Sequence, residues 1–213
     1  MTPWLQQLRT LIPDVGLFIW VYAASALFGY LVGSVNPAAI IAHVRGTDLS
    51  GGSGNPGATN AGRLMGWRVG VLVGLLDVLK GFLPVVLVEY VAGGGPARVA
   101  GLLAVIGHIS SPWLRGRGGK GVATAMGVVL AVRPIWALPE LAVFGLVVAV
   151  TRNVGLASVC SAIALVPVAI VFSHDLVDVG FAVALALIIC VRHSANLRRI
   201  LRSVRGRQGI PKG

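Results

Sequence analysis

Val69-Gly70-Val71-Leu72-Val73-Gly74-Leu75-Leu76-Asp77-Val78-Leu79-Lys80-Gly81-Phe82-Leu83-Pro84-Val85-Val86-Leu87-Val88-Glu89-Tyr90-Val91 is the stretch that decides the fold. As a helix rising 1.5 Å per residue it is about 34 Å long, enough to cross a hydrocarbon layer about 30 Å thick. The same apolar character recurs at Leu17 to Ala42, Val99 to Leu114, Val122 to Ile135, Trp136 to Val150, Val154 to Phe172 and Leu176 to Val191. Across all 213 residues, 56% are hydrophobic and 12% are charged, against roughly a quarter charged in a soluble domain. The reading is an all-α integral membrane protein of seven transmembrane helices, one domain over 1–213. Disorder, collagen and a disulfide scaffold are excluded, since the two cysteines, Cys160 and Cys190, lie inside apolar runs. The first run lacks a basic leader and a small-residue processing site, so it reads as a retained span.

Charge placement gives the orientation. With the N-terminus outside, the cytoplasmic side receives Arg45, Arg63, Arg68, Arg115, Arg117, Lys120, Arg152 and the tail cations Arg192, Arg198, Arg199, Arg202, Arg205, Arg207 and Lys212. Only Arg9, Arg98 and Arg133 fall outside, and Lys80 stays within a span, so the positive-inside bias is strong. The long run from Val122 to Val150 is one tilted helix or two short ones broken at Arg133-Pro134, and the charge count favours two. Residues 197–213 form a basic cytoplasmic tail suited to anionic headgroups.

Three polar elements converge on that inner face. The first is Ser50-Gly51-Gly52-Ser53-Gly54-Asn55-Pro56-Gly57-Ala58-Thr59-Asn60-Ala61-Gly62-Arg63. Its glycines let backbone N–H groups turn toward one anion, Ser53, Asn55, Thr59 and Asn60 add side-chain groups, and Arg63 offers a two-pronged phosphate contact. The bland alternative is a flexible linker. The second is Arg115-Gly116-Arg117-Gly118-Gly119-Lys120-Gly121, entering a helix at Val122. Glycines and cations ahead of a helix N-terminus make an anion site; the alternative is that the cations only hold the loop inside. It is not a Walker A loop, because Leu114 and Gly121 occupy the positions of its first Gly and its Ser or Thr. Gly52-x-Gly54-x-x-Gly57 and Gly116-x-Gly118-x-x-Gly121 match a dinucleotide pattern, but neither follows a strand. The third is Arg192-His193-Ser194-Ala195-Asn196, where the three-residue spacing puts His193 and Asn196 on one helix face.

Deeper in the chain, Asp77 and Lys80 are spaced to neutralise each other inside a span, the structural reading being the stronger one. His108 and Ser158 suit interhelical hydrogen bonds or a site equally well. His43, His108, His174 and His193 form no close ligand pair, so no metal is expected. There is no G-x-S-x-G elbow. Nucleic acid binding would account for the formal charge of +11 but not for the spans.

At Gly33-Ser34, Gly52-Ser53-Gly54-Asn55-Pro56-Gly57-Ala58-Thr59-Asn60, Asp77-Val78-Leu79-Lys80-Gly81, Gly107-His108, Gly118-Gly119-Lys120-Gly121-Val122-Ala123-Thr124 and Arg192-His193 with Asn196, the chain resembles the PlsY family. These are bacterial inner-membrane enzymes that acylate glycerol 3-phosphate with acyl phosphate. The resemblance runs from about residue 29 to 200 and implies seven helices with the N-terminus outside. It implies active-site positions at Ser53, Arg63, Lys120, Ser158, His193 and Asn196, and transfer to the glycerol 1-hydroxyl that releases phosphate and 1-acylglycerol 3-phosphate. No metal or other cofactor is implied, and no obligate protein partner. Substrate contacts are expected from Gly52, Gly54, Asn55, Gly57, Thr59, Asn60, Arg117, Gly118, Gly119 and Gly121. Asn36-Pro37, Gly155 in place of a frequent Ser, Gly116 in place of an aromatic, and the lack of a closing Gly-x-Glu depart from the family pattern. The rivals are a membrane transporter of phosphorylated small molecules, which the same basic loops and Asp77 and Lys80 within the membrane suggest, and a noncatalytic scaffold on anionic lipid.

Overall fold

The computed structural model describes residues 3–173 and 175–207, so His174 and Lys212 lie outside it. Every regular element among the described residues is helical: α1 (Pro3–Ser34), α2 (Pro37–Val44), α3 (Ala58–Met65), α4 (Trp67–Ala92), α5 (Gly94–Ile109), α6 (Val122–Val132), α7 (Pro134–Thr151), α8 (Val154–Ser173) and α9 (Leu176–Arg207), with one 3-10 turn at Pro112–Leu114. Six stretches are long and apolar enough to cross a membrane: Val15–Val44, Trp67–Ala92, Gly94–Leu114, Pro134–Thr151, Val154–Ser173 and Leu176–Asn196. The remaining apolar helix, α6, has 11 residues, about 16 Å at 1.5 Å per residue.

Two interruptions have plain causes. The run from Val122 to Val150 is two helices, parted at Arg133 because Pro134 cannot donate and disfavours helical geometry in the residue before it. The first apolar run, expected as one span, is interrupted at Val35 and Asn36 for the same reason at Pro37. Asn36 takes an extended conformation, and its side chain accepts a hydrogen bond from the Ala39 N–H at 2.8 Å, capping α2. At the other end, α9 continues past the apolar segment to Arg207, so 197–207 of the tail is helical.

The helices group into two compact units. One holds α1 to α5 and, from Ala123, α6; the other holds Gly119–Val122 and α7 to α9. In the first, α5 packs along both α1 and α4. Gly29 and Gly33 set the α1–α5 approach: a Cβ at either would strike the backbone of Ala100 or Ala104, and one at Gly107 would strike the carbonyl of Tyr30. Hydrocarbon offers no hydrophobic drive for helices to associate, so small residues that let backbones touch supply dispersion contact instead. Gly81 against Thr124 and Gly127 against Val78 dock α6 on α4 in the same way. In the second unit α8 packs between α7 and α9 around the fully buried Trp136, Leu165, Leu185 and Ile189. Arg133 donates to Asp178 at 2.9 Å, and Ser173 also donates to that carboxylate.

Gly33→Leu is therefore expected to destabilise the detergent-solubilised protein by at least ~2 kcal/mol, read as a lowered thermal midpoint. Gly16→Leu, where a Cβ meets nothing within 4 Å, is expected to stay within about 0.5 kcal/mol of the parent.

Candidate active site

The glycine loop of the first unit is shaped by two asparagines. Asn60, on the first turn of α3, is 1% exposed. Its side-chain oxygen accepts from the Ser53 N–H at 2.9 Å, and its amide donates to the carbonyls of Leu49 at 3.0 Å and Gly51 at 3.1 Å. Asn36 grips the other end, donating to the Pro56 carbonyl at 3.0 Å. Gly52 and Gly54 have φ of +63° and +65°, which a residue with a Cβ adopts at a cost of about 1–2 kcal/mol. A Cβ on Gly52 would also strike the Asn60 oxygen. Within the loop Gly54 donates to the Gly51 carbonyl at 3.0 Å and Gly57 to that of Asn55 at 2.9 Å. The result exposes Gly52, Ser53, Gly54 and Thr59, half-buries Asn55 and buries Gly57. Asn60, expected to touch substrate, bonds its amide to three backbone groups of the loop and so sets its shape.

Arg63 lies exposed one turn further along α3. It edges a shallow depression of about 370 Å³ lined also by Ala58, Thr59, Gly62, Trp67, Gly70 and Val71. Just before the loop, Ser50 donates to the Asp48 carboxylate through its hydroxyl and through its N–H at 2.8 Å, which holds that carboxyl below the usual range. The carboxylate is thus occupied locally. The basic loop begins in the same unit. Its first turn closes through Gly116 donating to Ser111 at 2.9 Å and Arg117 donating to Leu114 at 2.9 Å, with Arg115 in a left-handed conformation. Arg115 and Arg117 are exposed. Gly118 is buried, donates to the Ile109 carbonyl at 3.0 Å, and has no room for a Cβ against the carbonyl of His108.

The second unit assembles the other candidates. Gly119 is buried, and its carbonyl accepts from Arg192 of α9 at 3.0 Å, which ties the segment before α6 to the last helix. Gly121 turns with φ of +84°, and Lys120 between them is partly exposed. His193, the next residue on α9, is 1% exposed and hydrogen-bonds through Nδ1 to the Ile189 carbonyl at 2.8 Å. A carbonyl only accepts, so Nδ1 carries the proton and a neutral ring keeps its lone pair on Nε2. Lys120 and Arg192 are the cations whose charge reaches this ring. Asn196, one turn on, lies against Gly155 of α8, where a Cβ would come within 2.8 Å of its amide nitrogen. Ser158 is buried on the next turn of α8 and donates to the Val154 carbonyl at 2.8 Å. Lys120, Arg192, His193 and Asn196 with the first turns of α8 thus form one polar end of this unit, while Ser53 and Arg63 belong to the first.

Comparison with known proteins bears directly on this arrangement. The family model described as Glycerol-3-phosphate acyltransferase matches residues 23–203. The chain belongs to that acyltransferase family. Proteins named glycerol-3-phosphate acyltransferase from Geobacter sulfurreducens and Clostridioides difficile are 40% and 39% identical to it, over 84% and 91% of this chain and 93% and 98% of theirs. Two crystal structures of PlsY, an integral membrane glycerol 3-phosphate acyltransferase, in a glycerol 3-phosphate form and a lysophosphatidic acid form, superpose with TM-scores of 0.81 and 0.80. They are 37% and 36% identical, and each match covers 85% of this chain and 92% of the other. The acyltransferase is accordingly an all-helical integral membrane protein.

Sequence reading missed two residues of its polar framework. Asn36 registered only as a departure from the family pattern, although Asn before Pro after an apolar run is a helix-start signal. Asn153 caps α8, its oxygen accepting from the Leu156 N–H at 3.1 Å, and follows a left-handed Arg152. That Asn-Val-Gly sequence carried the same signal.

Asn60→Ala leaves the Ser53 N–H and two carbonyls without their partner, and is expected to loosen the loop by about 1–3 kcal/mol, seen as faster amide exchange over 50–57. Asn60→Asp keeps the acceptor for Ser53 but sets a second acceptor against the Leu49 and Gly51 carbonyls, and is expected to exchange at least as fast as the alanine variant.

Proposed function

We propose that this acyltransferase moves the acyl group of an acyl phosphate to the 1-hydroxyl of glycerol 3-phosphate, an early step of phospholipid synthesis in bacteria. The observation that carries this reading is the pair of solved relatives in a glycerol 3-phosphate form and a lysophosphatidic acid form, an acceptor and the product of its acylation. The hydroxyl oxygen attacks the acyl carbonyl, the carbon–oxygen bond to phosphate breaks, and 1-acylglycerol 3-phosphate and inorganic phosphate leave. Both substrates are anions that repel one another. The cations Arg63, Arg117 and Lys120 and the N–H groups of the glycine loops offset that repulsion and align hydroxyl with carbonyl. Ser53, Ser158 and Asn196 add hydrogen bonds. The proton of the attacking hydroxyl passes to Nε2 of His193 or to a phosphate oxygen of the donor.

In the same reading the chain is one acyltransferase domain of seven transmembrane helices in the inner membrane. The short α6 completes the count, the N-terminus lies outside, and the site faces the cytoplasm. Fourteen of the eighteen Lys and Arg residues then lie on the inner side, which supports that orientation. The transporter reading is weakened at one of its two supports, because Asp77 and Lys80 are engaged with each other at 3.0 Å.

Purified protein given acyl phosphate and glycerol 3-phosphate is expected to release phosphate in step with lysophosphatidic acid, and neither without the acceptor. Lys120→Ala is expected to lower kcat/KM by about 30- to 1000-fold, the equivalent of roughly 2–4 kcal/mol. Full activity in a folded Lys120→Ala protein, or uptake of glycerol 3-phosphate into sealed vesicles without acyl product, would overturn the assignment.

A further inference from the structure

The Asp77–Lys80 pair is more than self-neutralising. Both residues are buried in α4, Lys80 at 7% and Asp77 at 2% exposure, and Nδ1 of His108 on α5 lies 3.4 Å from the same Asp77 oxygen. A pair that served only its own neutrality would need nothing further. Yet Nζ of Lys80 also donates to the carbonyl of Val35 at 2.6 Å, at the break between α1 and α2. In an unbroken helix that carbonyl would bond the N–H of residue 39. Here the Ala39 N–H is taken by the side chain of Asn36. Lys80 therefore supplies the donor that the break removes, in surroundings where an unpaired carbonyl finds no water.

What the break holds in place is Asn36. That one side chain caps α2 through its oxygen and clasps the glycine loop through its amide on the Pro56 carbonyl. Ser34, on the other side of Val35, is fixed as well, because Ser111 donates to the Ser34 carbonyl at 2.7 Å and Trp113 to the Ser34 hydroxyl at 2.9 Å. A continuous line of bonds thus runs from Asp77 through Lys80, Val35 and Asn36 to Pro56, three residues from Ser53.

We propose that Lys80 and Asn36 are positioning residues that act as a strut, setting the glycine loop that carries Ser53 from a charge pair inside the membrane. The reading of that loop as a substrate site rests on the acyltransferase function above. The strut itself rests on the bonds just described.

The test uses the full chain in lipid nanodiscs. Asp77→Asn combined with Lys80→Met removes the ammonium without stranding a carboxylate. Amides 50–57 are expected to exchange at least tenfold faster than in the parent while those of α8 are unchanged, and kcat/KM for glycerol 3-phosphate is expected to fall at least tenfold. Asn36→Ala alone should give the same pattern. Adding it to the first variant should worsen neither readout much further, since both changes cut one line of bonds. Losses that multiply, or parental loop exchange in either variant, would overturn the strut. If the charge-pair variant is not recovered folded, Asn36→Ala decides: loosening confined to the loop supports the proposal and parental exchange refutes it. Failure of the unmodified protein to make lysophosphatidic acid would sink the acyltransferase reading instead, and loop exchange would still report on the strut.

Discussion

Every interruption of an apolar helix in hydrocarbon releases backbone groups that no water can satisfy, and the polar residues of this chain are arranged around that constraint. The break at Val35 frees the carbonyls of Ser34 and Val35, and Ser111 and Lys80 answer them. The break at Arg133 sits beside an ion pair of Arg133 with Asp178. The turn into α8 is capped by Asn153. Helix interiors, by contrast, carry glycine and alanine where backbones meet and leucine, valine and isoleucine where they face outward. The breaks thus hold polar groups in fixed positions, beside the few that are buried within helices, such as Asp77 and Lys80 in α4, Ser158 in α8 and His193 in α9.

That distribution suits anionic substrates. Several carboxylates are already occupied by close partners: Asp48 by Ser50, Asp77 by Lys80, Asp178 by Arg133 and Ser173, and Glu140 by the Ser161 hydroxyl at 3.1 Å. For Asp77 and Asp178 the partner is a cation, which offsets the negative charge locally. Arg63 on α3 is exposed just beyond the glycine loop, and Arg115 and Arg117 are exposed on the basic loop. The glycines that build those loops serve two distinct ends: Gly52 and Gly54 turn the backbone through positive φ, while Gly118 is buried so closely against α5 that no side chain fits.

Hydropathy made most of the fold legible, since runs such as Val154 to Phe172 appear in the structure within a residue or so as α8. The pairing of Asp77 with Lys80 and the break at Arg133-Pro134 were legible too, because helix spacing and the covalent geometry of proline are local properties. Residues whose role depends on what lies across space were not. Gly33, Gly52 and Gly118 are the same letter, and only the neighbour separates helix packing, loop conformation and loop burial. An amide in a glycine loop can face either way, and the three backbone groups that Asn60 meets are set by the fold of the loop rather than by its sequence. The break in the first span was hidden because Val35 and Asn36 interrupt the apolar run too briefly to register in hydropathy.

Gly155 shows how the absence of a side chain shapes a polar corner. A Cβ at this position would stand 2.8 Å from the Asn196 amide nitrogen and 3.4 Å from the side-chain oxygen of Asn153. A serine could remain only if the Asn196 amide moved, since a carbon within 3 Å of nitrogen is inside van der Waals contact. Glycine lets the α9 amide settle directly over the first turn of α8, one turn from Ser158 and one turn from His193. The polar character of that corner is thus supplied by the Asn196 amide rather than by a side chain at position 155.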